Sequence, residues 1–269
     1  MRYALSTWLY ADRPLDAALR DFKQAGFAEI EVWADKTHLD PRYLTDAAEA
    51  LNLVRKSGLG VHSIHGPFHD MGIGSEDPAV IAQTEKTIMK TLEFSHELES
   101  GFVVLHPVTC DSSKISEAGE NYTKELFQRL ADRAQQLGVG ILVENLPKAS
   151  APYNSMAGLN KLFPDPRIGL CLDVAHAFLN GFDILEEIAI AAPRLYSCHV
   201  SNNDGKKDSH SNMYDGLIAM DEVLDRLAAL PQVTPVLEIT GSPNPEATLE
   251  GTKQSVVIRR SRAQGGKHA

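Results

Sequence analysis

Strand-like and helix-like segments alternate along the whole chain, and this feature most constrains the fold. Short apolar, β-rich runs predict strands at Tyr3–Trp8, Glu29–Trp33, Gly60–His65, Phe102–His106, Gly140–Glu144, Ile168–Asp173, Leu195–Val200 and Pro235–Ile239. Helical spacing of apolar residues predicts helices at Pro14–Ala25, Asp46–Lys56, Val80–Leu98, Tyr122–Leu137, Asp183–Ala191 and Met220–Leu230. Strands that alternate with helices in this way form right-handed βαβ units and a parallel sheet.

Eight such units within about 250 residues are typical of an α/β protein with a closed (β/α)8 barrel, the TIM barrel. A doubly wound open sheet is the alternative, but no Gly-x-Gly-x-x-Gly motif follows the first strand, so a dinucleotide site is not supported. We predict a single barrel domain over residues 1–258. The basic residues 259–269 are predicted to be a disordered tail.

The formal net charge of the 269-residue chain is −10, which gives no general attraction to nucleic acid or to anionic membranes. No run approaches the roughly 18 apolar residues of a membrane span. The three cysteines form no Cys-x-x-Cys pair, and their odd number argues against a disulfide framework. A reducing, cytoplasmic setting is therefore predicted.

Side chains that can bind a metal or move a proton end six of the eight predicted strands: His65, His106, Glu144, Asp173, His199 and Glu238. In a barrel all parallel strands end on one rim, so these side chains are expected to converge there. Alone, such a histidine is more often a partly buried structural residue, and a carboxylate at a strand end often caps the next helix. The prediction of a site depends on their joint occurrence.

Three of these residues, Glu144, Asp173 and Glu238, would bring carboxylates together in a cleft of low dielectric constant, where they repel one another. A bound cation is the simplest remedy, and with His199 the three form a sound ligand set for a divalent metal. After strand seven, Asp208 and His210 alternate and would point the same way in an extended loop. A solvated polar loop is the alternative reading.

At these residues the chain resembles the xylose-isomerase-like TIM-barrel superfamily. That group contains sugar and sugar-phosphate isomerases and epimerases, and also abasic-site (AP) DNA repair enzymes of the endonuclease IV type. The resemblance extends from Tyr3 to about Ile258, and its most specific segments are His65–Phe68, Val143–Asn145, Gly169–Phe178 and Asp208–His210.

The resemblance implies two alternative metal centres. Glu144, Asp173, His199 and Glu238 match the single-metal ligands of the isomerases and epimerases, for which Mn, Mg or Co is expected. The extra ligands of the three-zinc repair endonucleases match His65, His106, His176, Asp208 and His210. By formal charge, one dication leaves the site near about −1 and suits a neutral sugar, whereas three zinc ions leave about +2 and attract a phosphodiester.

Several segments bear on the choice between these branches. The start Leu5–Trp8 lacks the His-Val-Ser signature of the repair enzymes, whereas Glu29–Trp33 resembles the second strand of sugar isomerases. Ser211–Gly216 departs from the Gly-x-Gly turn common to both branches. The arginine that ketose epimerases carry shortly after the strand-seven histidine is absent, so assignment to ketose 3-epimerases is not made.

The first hypothesis is a metal-dependent isomerase or epimerase with a sugar or sugar phosphate as its small-molecule partner. Glu144 and Glu238 would transfer the proton next to a metal-polarised carbonyl through an enediolate, and His176 would orient a hydroxyl. Further substrate contacts are predicted from Trp8, Glu31, Trp33, Phe68, Lys206 and Lys207. The two lysines would hold a phosphate, or else face water.

The second hypothesis is a zinc-dependent AP endonuclease or other phosphoesterase, and only this reading makes DNA a partner. A metal-binding barrel without enzymatic activity is the third. No membrane partner is expected, and assembly into a homo-oligomer is left open.

Overall fold

The computed structural model describes residues 2–241 and 243–265. They contain a closed parallel barrel in which β1 to β8 are neighbours in sequence order and β8 pairs with β1. The strands are β1 Ala4–Ser6, β2 Glu29–Trp33, β3 Gly60–His65, β4 Phe102–Leu105, β5 Gly140–Glu144, β6 Ile168–Asp173, β7 Leu195–Val200 and β8 Thr234–Leu237. The predicted single-domain TIM barrel is confirmed.

The helices lie between the strands and after β8. They are α1 Leu15–Gln24, α2 Ala47–Ser57, α3 Pro78–Glu97, α4 Glu117–Leu137, α5 Met156–Leu162, α6 Val174–Leu179, α7 Ile184–Ala191, α8 Met220–Ala228 and α9 Pro245–Gly265. Asp46, Asp77 and Ser116 begin three of them, because each side chain accepts a hydrogen bond from a backbone N–H of the first turn. Sequence analysis did not predict α5, α6 or α9. The first two have only seven and six residues, too few to show a helical period.

Some strands are shorter than predicted. β1 ends at Ser6, whose Oγ accepts the Trp8 N–H at 3.4 Å, and Thr7–Tyr10 forms a 3-10 turn. β4 ends at Leu105 and β8 at Leu237, so His106 and Glu238 immediately follow their strands instead of lying within them. Both residues nevertheless stay at the carboxyl-end rim of the barrel.

The alternation of side chains along the strands separates a core from a rim. Inside the barrel, a small apolar cluster consists of Val104, Leu142 and Cys171. Because side chains of a strand repeat with a period of two, the residues two positions further on point to the same interior. Those residues are His106, Glu144 and Asp173. An apolar cluster therefore lies inside the barrel below the rim, and the candidate polar side chains occupy its mouth.

The three cysteines are free, with Cys171 and Cys198 fully buried and Cys110 exposed. Burial raises the pKa of Cys171 to about 12, so its thiol stays protonated at neutral pH. Within the described ranges, no helix has both the length and the apolar character that crossing a bilayer requires. The cytoplasmic setting stays a prediction.

The end of the chain differs from the predicted disordered tail. Helix α9 continues to Gly265, so the expected boundary at residue 258 falls inside a helix. Arg259 is only 7% exposed, and its guanidinium pairs with Asp221 at 3.2 Å and with Asp225. These acidic partners on α8 fix the helix against the barrel and are not apparent from the basic composition of the segment. Residues 266–269 of the predicted tail lie outside the described residues.

We expect Arg259→Met to lower the free energy of unfolding by about 1–3 kcal/mol, because Asp221 and Asp225 lose a largely buried partner. Urea denaturation followed by circular dichroism would measure the loss. Arg260→Met is the matched control, since Arg260 is exposed, and should change stability by less than about 0.5 kcal/mol. Equal losses in the two variants would contradict a structural role for this end of α9.

Candidate metal centre

Four side chains predicted as metal ligands meet at the mouth of the barrel. Glu144, Asp173, His199 and Glu238 each offer one ligand atom, and these atoms lie within 4.8 Å of one another. Each residue is at most 2% exposed. They come from β5, β6, β7 and the position after β8. Paired parallel strands fix the backbone of each residue, so the convergence expected at the rim is present.

Glu144 contacts more imidazoles than any other carboxylate described at the rim. Its Oε1 lies 3.2 Å from His199 Nδ1 and 3.4 Å from His176 Nδ1, and its Oε2 lies 3.3 Å from His65 Nε2 and 3.7 Å from His106 Nε2. Burial favours the neutral acid, but these neighbours hold the pKa of Glu144 well below its usual range. Glu144 is therefore a carboxylate at neutral pH.

A second group of candidate ligands adjoins the first. The loop after β7 forms an antiparallel bridge between Asn202 and Ser211 and returns to the rim. It carries Asp208, whose Oδ2 lies 3.1 Å from His176 Nε2 and 3.2 Å from His210 Nε2. Ligand atoms of Asp173, His176 and His210 also lie within 4.8 Å of one another. The five extra candidates, His65, His106, His176, Asp208 and His210, thus adjoin the first four.

Protonated imidazoles balance the carboxylates when no cation is bound. Burial alone would lower the pKa of His176, but Asp173 and Asp208 raise it to about 10. Burial likewise opposes protonation of His210, and Asp208 and Glu238 raise its pKa to about 9. Burial raises the pKa of Asp173 to about 7. A metal bound here would have to displace protons, so its affinity should increase with pH.

Two buried atoms of the four predicted ligands lack a hydrogen-bond partner: Asp173 Oδ2 and His199 Nδ1. An unsatisfied buried polar group ordinarily costs about 1–3 kcal/mol. His199 Nδ1 also lies 3.2 Å from both Glu144 Oε1 and Glu238 Oε2. A cation among these atoms would satisfy both orphaned groups, and the mixture of carboxylate and imidazole donors is one that divalent metals accept. The residues present therefore fit a divalent metal.

Aromatic side chains predicted to contact substrate lie against the candidate histidine ligands. Trp8 stacks on Trp33 with ring centroids 4.9 Å apart, and the Trp33 ring lies 4.4 Å from the His65 ring. Phe68 stacks on His106 at 4.3 Å. The apolar faces of these rings form one wall beside the mouth of the barrel. Rings in such positions restrict the orientation of the imidazoles. Their contact with a substrate stays a prediction.

Glu31 lies deeper in the site than the other residues predicted to contact substrate. Its side chain is fully buried, and its Oε2 lies 3.2 Å from His199 Nε2 and 2.7 Å from Ser63 Oγ. The inward-facing position on β2 places the carboxylate behind His199. A direct contact between Glu31 and substrate stays a prediction.

Lys206 and Lys207 lie in an exposed turn. Their backbone N–H groups donate to Asp204 Oδ1 at 2.9 and 3.0 Å, and the two residues are exposed. A role for these lysines in phosphate binding stays a prediction.

Asn145 was recognised only as part of a sequence motif, and the structure gives it a specific position. Its side chain accepts the Asp173 N–H at 2.8 Å and donates to the Asp173 carbonyl at 3.0 Å. Its own carbonyl oxygen lies 2.8 Å from His176 Nδ1. Asn145 therefore joins the ends of β5 and β6 and holds two candidate ligands. The Glu-Asn pair at a strand end was the only sequence signal for this role.

We expect the metal-free protein to lose stability as pH rises from about 7 to 10. The folded-state pKa values of His176 and His210, about 10 and about 9, exceed the ordinary value of about 6.5. The protonated imidazoles therefore stabilise the folded protein fully below about pH 6.5, and this contribution is lost as the pH rises through 9 and 10. The loss should be on the order of a few kcal/mol, since one pKa unit corresponds to about 1.4 kcal/mol. Urea denaturation in chelator across this range would measure it.

Saturating Mn²⁺ or Co²⁺ should flatten this pH dependence, because the bound cation would supply the positive charge that the imidazolium groups otherwise provide. His96→Gln provides a control, since this exposed-face histidine contacts the Leu137 carbonyl far from the rim. That variant should keep the wild-type profile, whereas His176→Gln should reduce the slope. A pH-independent stability of the metal-free protein would contradict this account of the charge balance.

Comparison with known proteins agrees with the fold. A family model described as xylose isomerase-like TIM barrel matches residues 19–256. A fructoselysine 3-epimerase from Escherichia coli O157:H7 is 18% identical over 238 residues, covering 83% of this chain and 84% of that protein. A probable endonuclease 4 from Thermoplasma acidophilum is 23% identical over 180 residues, covering 62% of this chain and 60% of that protein.

Among solved structures, an L-ribulose 3-epimerase superposes with a TM-score of 0.81 at 19% sequence identity, covering 99% of this chain and 97% of that one. At this level of identity the superposition supports the fold. The family match spans most of the barrel, from within α1 to within α9. The chain therefore belongs to the xylose isomerase-like TIM-barrel family.

Proposed function

We propose that the protein is a divalent-metal-dependent isomerase or epimerase that acts on a sugar or sugar phosphate. The observation that carries the proposal is the arrangement of Glu144 and Glu238, which place carboxylate oxygens 3.2 Å from the same His199 Nδ1. Two buried bases thus border a single candidate metal ligand. Proton removal and return next to a carbonyl require two such groups when the carbon inverts.

Glu144, Asp173, His199 and Glu238 would hold the metal. When bound there, a divalent cation would act as a Lewis acid that polarises the sugar carbonyl and makes the neighbouring C–H more acidic. Mn, Mg or Co is proposed for this single site, because its ligands are mainly carboxylates.

The chain's own residues would perform the proton transfer. Burial opposes ionisation, but His199 holds the pKa of Glu238 at about 2, and Glu144 is also a carboxylate. Either group can therefore accept a proton from the carbon next to the carbonyl. In an epimerisation one carboxylate would accept this proton, and the other, after taking up a proton from solvent, would return it to the opposite face. Release of the first proton to solvent then restores both groups for the next turnover.

Other residues would orient the substrate. His176 lies 3.4 Å from Glu144 Oε1 through Nδ1, so it is placed to hydrogen-bond a hydroxyl beside the reacting carbon. Trp8, Trp33 and Phe68 would exclude water from one side and contact the sugar C–H face. For a phosphorylated sugar, Lys206 and Lys207 would supply positive charge.

The comparisons are consistent with sugar epimerisation, since relatives of this chain are named fructoselysine 3-epimerase and L-ribulose 3-epimerase. The particular sugar is not proposed, because the arginine expected after the strand-seven histidine in ketose 3-epimerases is missing from Gly205–Lys207.

We expect the metal-loaded protein to exchange the hydrogen next to the carbonyl of its sugar substrate with deuterium from D₂O. Glu238→Gln should lower kcat by about 10²–10⁴-fold, because the glutamine cannot transfer a proton. Nuclear magnetic resonance spectra of a panel of ketoses and aldoses, each with and without phosphate, would measure the exchange. Chelator treatment should abolish it, and added Mn²⁺ or Co²⁺ should restore it.

Glu187→Gln is the matched control for removing a buried negative charge. Glu187 is 4% exposed and accepts the Met156 N–H on the outer side of the barrel, so exchange should be unchanged. Metal-saturated protein that exchanges no sugar hydrogen in the whole panel would contradict the proposal and favour a non-enzymatic metal-binding barrel.

A second candidate function is supported by a specific observation. The five extra ligand candidates adjoin the first four, and His65 and His106 both approach Glu144 Oε2, at 3.3 and 3.7 Å. Such a set could hold two or three zinc ions and act as an AP endonuclease or other phosphoesterase, with DNA as partner. A relative named probable endonuclease 4 is consistent with this candidate.

Metal counting and a nicking assay would separate the two candidates. For the isomerase we expect one metal per chain and no cleavage of a DNA duplex that contains an abasic site. Two or three zinc ions per chain, with nicking that is lost in Glu144→Gln, would favour the phosphoesterase. Size-exclusion chromatography with light scattering would show whether the chain assembles into a homo-oligomer, which the sequence leaves open.

A further inference from the structure

A buried carboxylate lies directly behind the only histidine in the predicted single-metal ligand set. Glu31 and His199 are both fully buried, and Glu31 Oε2 lies 3.2 Å from His199 Nε2. Ser63 Oγ donates to the same Oε2 at 2.7 Å. Among the described residues, no lysine or arginine pairs with Glu31. Burying a carboxylate without a cationic partner costs free energy, so the position of Glu31 suggests a specific role.

An extra residue in β3, His62, brings Ser63 beside Glu31. The register between β2 and β3 shifts between Ile30 and Glu31, and Glu31 then pairs directly with Ser63. Such irregularities redirect a side chain and are frequent beside active sites. The shift makes Glu31 and Ser63 neighbours inside the barrel, below the rim on which His199 lies.

This contact decides which nitrogen of His199 carries the proton. A carboxylate only accepts hydrogen bonds, so Nε2 must donate to Glu31 Oε2. In the neutral imidazole the lone pair is then on Nδ1, which is the atom 3.2 Å from Glu144 Oε1 and from Glu238 Oε2. Nδ1 is also the buried atom that lacks a hydrogen-bond partner. The lone pair is thus directed at the space where the carboxylates converge.

We propose that Glu31 is a positioning residue for the metal centre: it holds His199 with Nε2 protonated and Nδ1 free to bind the metal, and Ser63 orients Glu31. The inference rests on the proposed metal dependence, although not on the identity of the sugar. A carboxylate behind a ligating imidazole increases the basicity of the ligand nitrogen and fixes the ring. Glu31 therefore contributes to metal affinity without contacting the metal.

Metal affinity of the purified full-length chain tests the proposal without any activity assay. Glu31→Ala, which removes the acceptor, should weaken Co²⁺ and Mn²⁺ binding by about 10–100-fold in a competition assay with a chromogenic chelator. Glu31→Gln keeps an acceptor but loses the charge, so its affinity should lie between those of the wild type and Glu31→Ala. The visible absorption spectrum of the Co²⁺-loaded protein should also change in Glu31→Ala.

The tautomer can be observed directly. Long-range ¹H–¹⁵N spectra of histidine-labelled, Zn²⁺-loaded wild type should show His199 protonated at Nε2, and this signal should be lost or weakened in Glu31→Ala. Ser63→Ala provides a milder change if Glu31→Ala does not fold, and should weaken metal binding by a smaller factor. Glu187→Gln, a buried carboxylate on the outer helices, should keep wild-type affinity.

Each outcome bears on the proposal. Unchanged affinity and an unchanged Co²⁺ spectrum in the folded Glu31 variants would overturn it while leaving the proposed metal-dependent enzyme intact. A loss of thermal stability in the metal-free variants without any loss of metal affinity would show a purely structural role and would also overturn it. Wild-type protein that binds no metal would overturn both, whereas tight metal binding without sugar turnover would leave the positioning role standing.

Discussion

Electrostatic repulsion among buried carboxylates is the constraint on which the whole site depends. The mouth of the barrel and the interior just below it hold four carboxylates that are almost completely buried: Glu31, Glu144, Asp173 and Glu238. Among the described residues, their ionic partners are histidines, with no lysine or arginine in contact. Charge of one sign in a medium of low dielectric constant is tolerated only beside opposite charge. Protons on the imidazoles provide that charge in the metal-free protein, and a dication would replace them.

The strands of the barrel hold these buried carboxylates close to one another. The candidate ligands Glu144, Asp173 and His199 end or lie in neighbouring strands, where ladder hydrogen bonds fix their backbones. Below them, Val104, Leu142 and Cys171 fill the interior with apolar side chains. Rigid strands prevent the carboxylates from moving apart, so the repulsion remains and would favour the binding of a cation. The same rigidity keeps the proposed proton-transfer groups in place between turnovers.

Much of this arrangement could be predicted from sequence because it follows from local periodicity. The alternation of strands with helices predicted the barrel. Because parallel strands of a barrel all end on one rim, it also predicted that Glu144 and Glu238 lie close together, although most of a hundred residues separate them in the chain. The place of Glu31 could not be predicted in this way, since it depends on a register shift and a partner on β7. Arg259 was misjudged for the same reason: its acidic partners lie on another helix. The periodic spacing of apolar residues is visible within a short stretch of sequence. Contacts between distant segments leave no such local pattern.

The candidate ligands differ in the kind of backbone that supports them. Glu144, Asp173 and His199 belong to strands, whereas Asp208 and His210 belong to a returning loop held by the bridge between Asn202 and Ser211. Substitutions in a loop disturb the rest of a barrel far less than substitutions in its strands. The candidate ion position that depends on Asp208 and His210 can therefore change during evolution through one segment, whereas His65 and His106 are held at the strand ends. Hydrolytic and carbohydrate-modifying descendants could diverge from a common ancestor by remodelling that segment while the cylinder beneath it stayed the same.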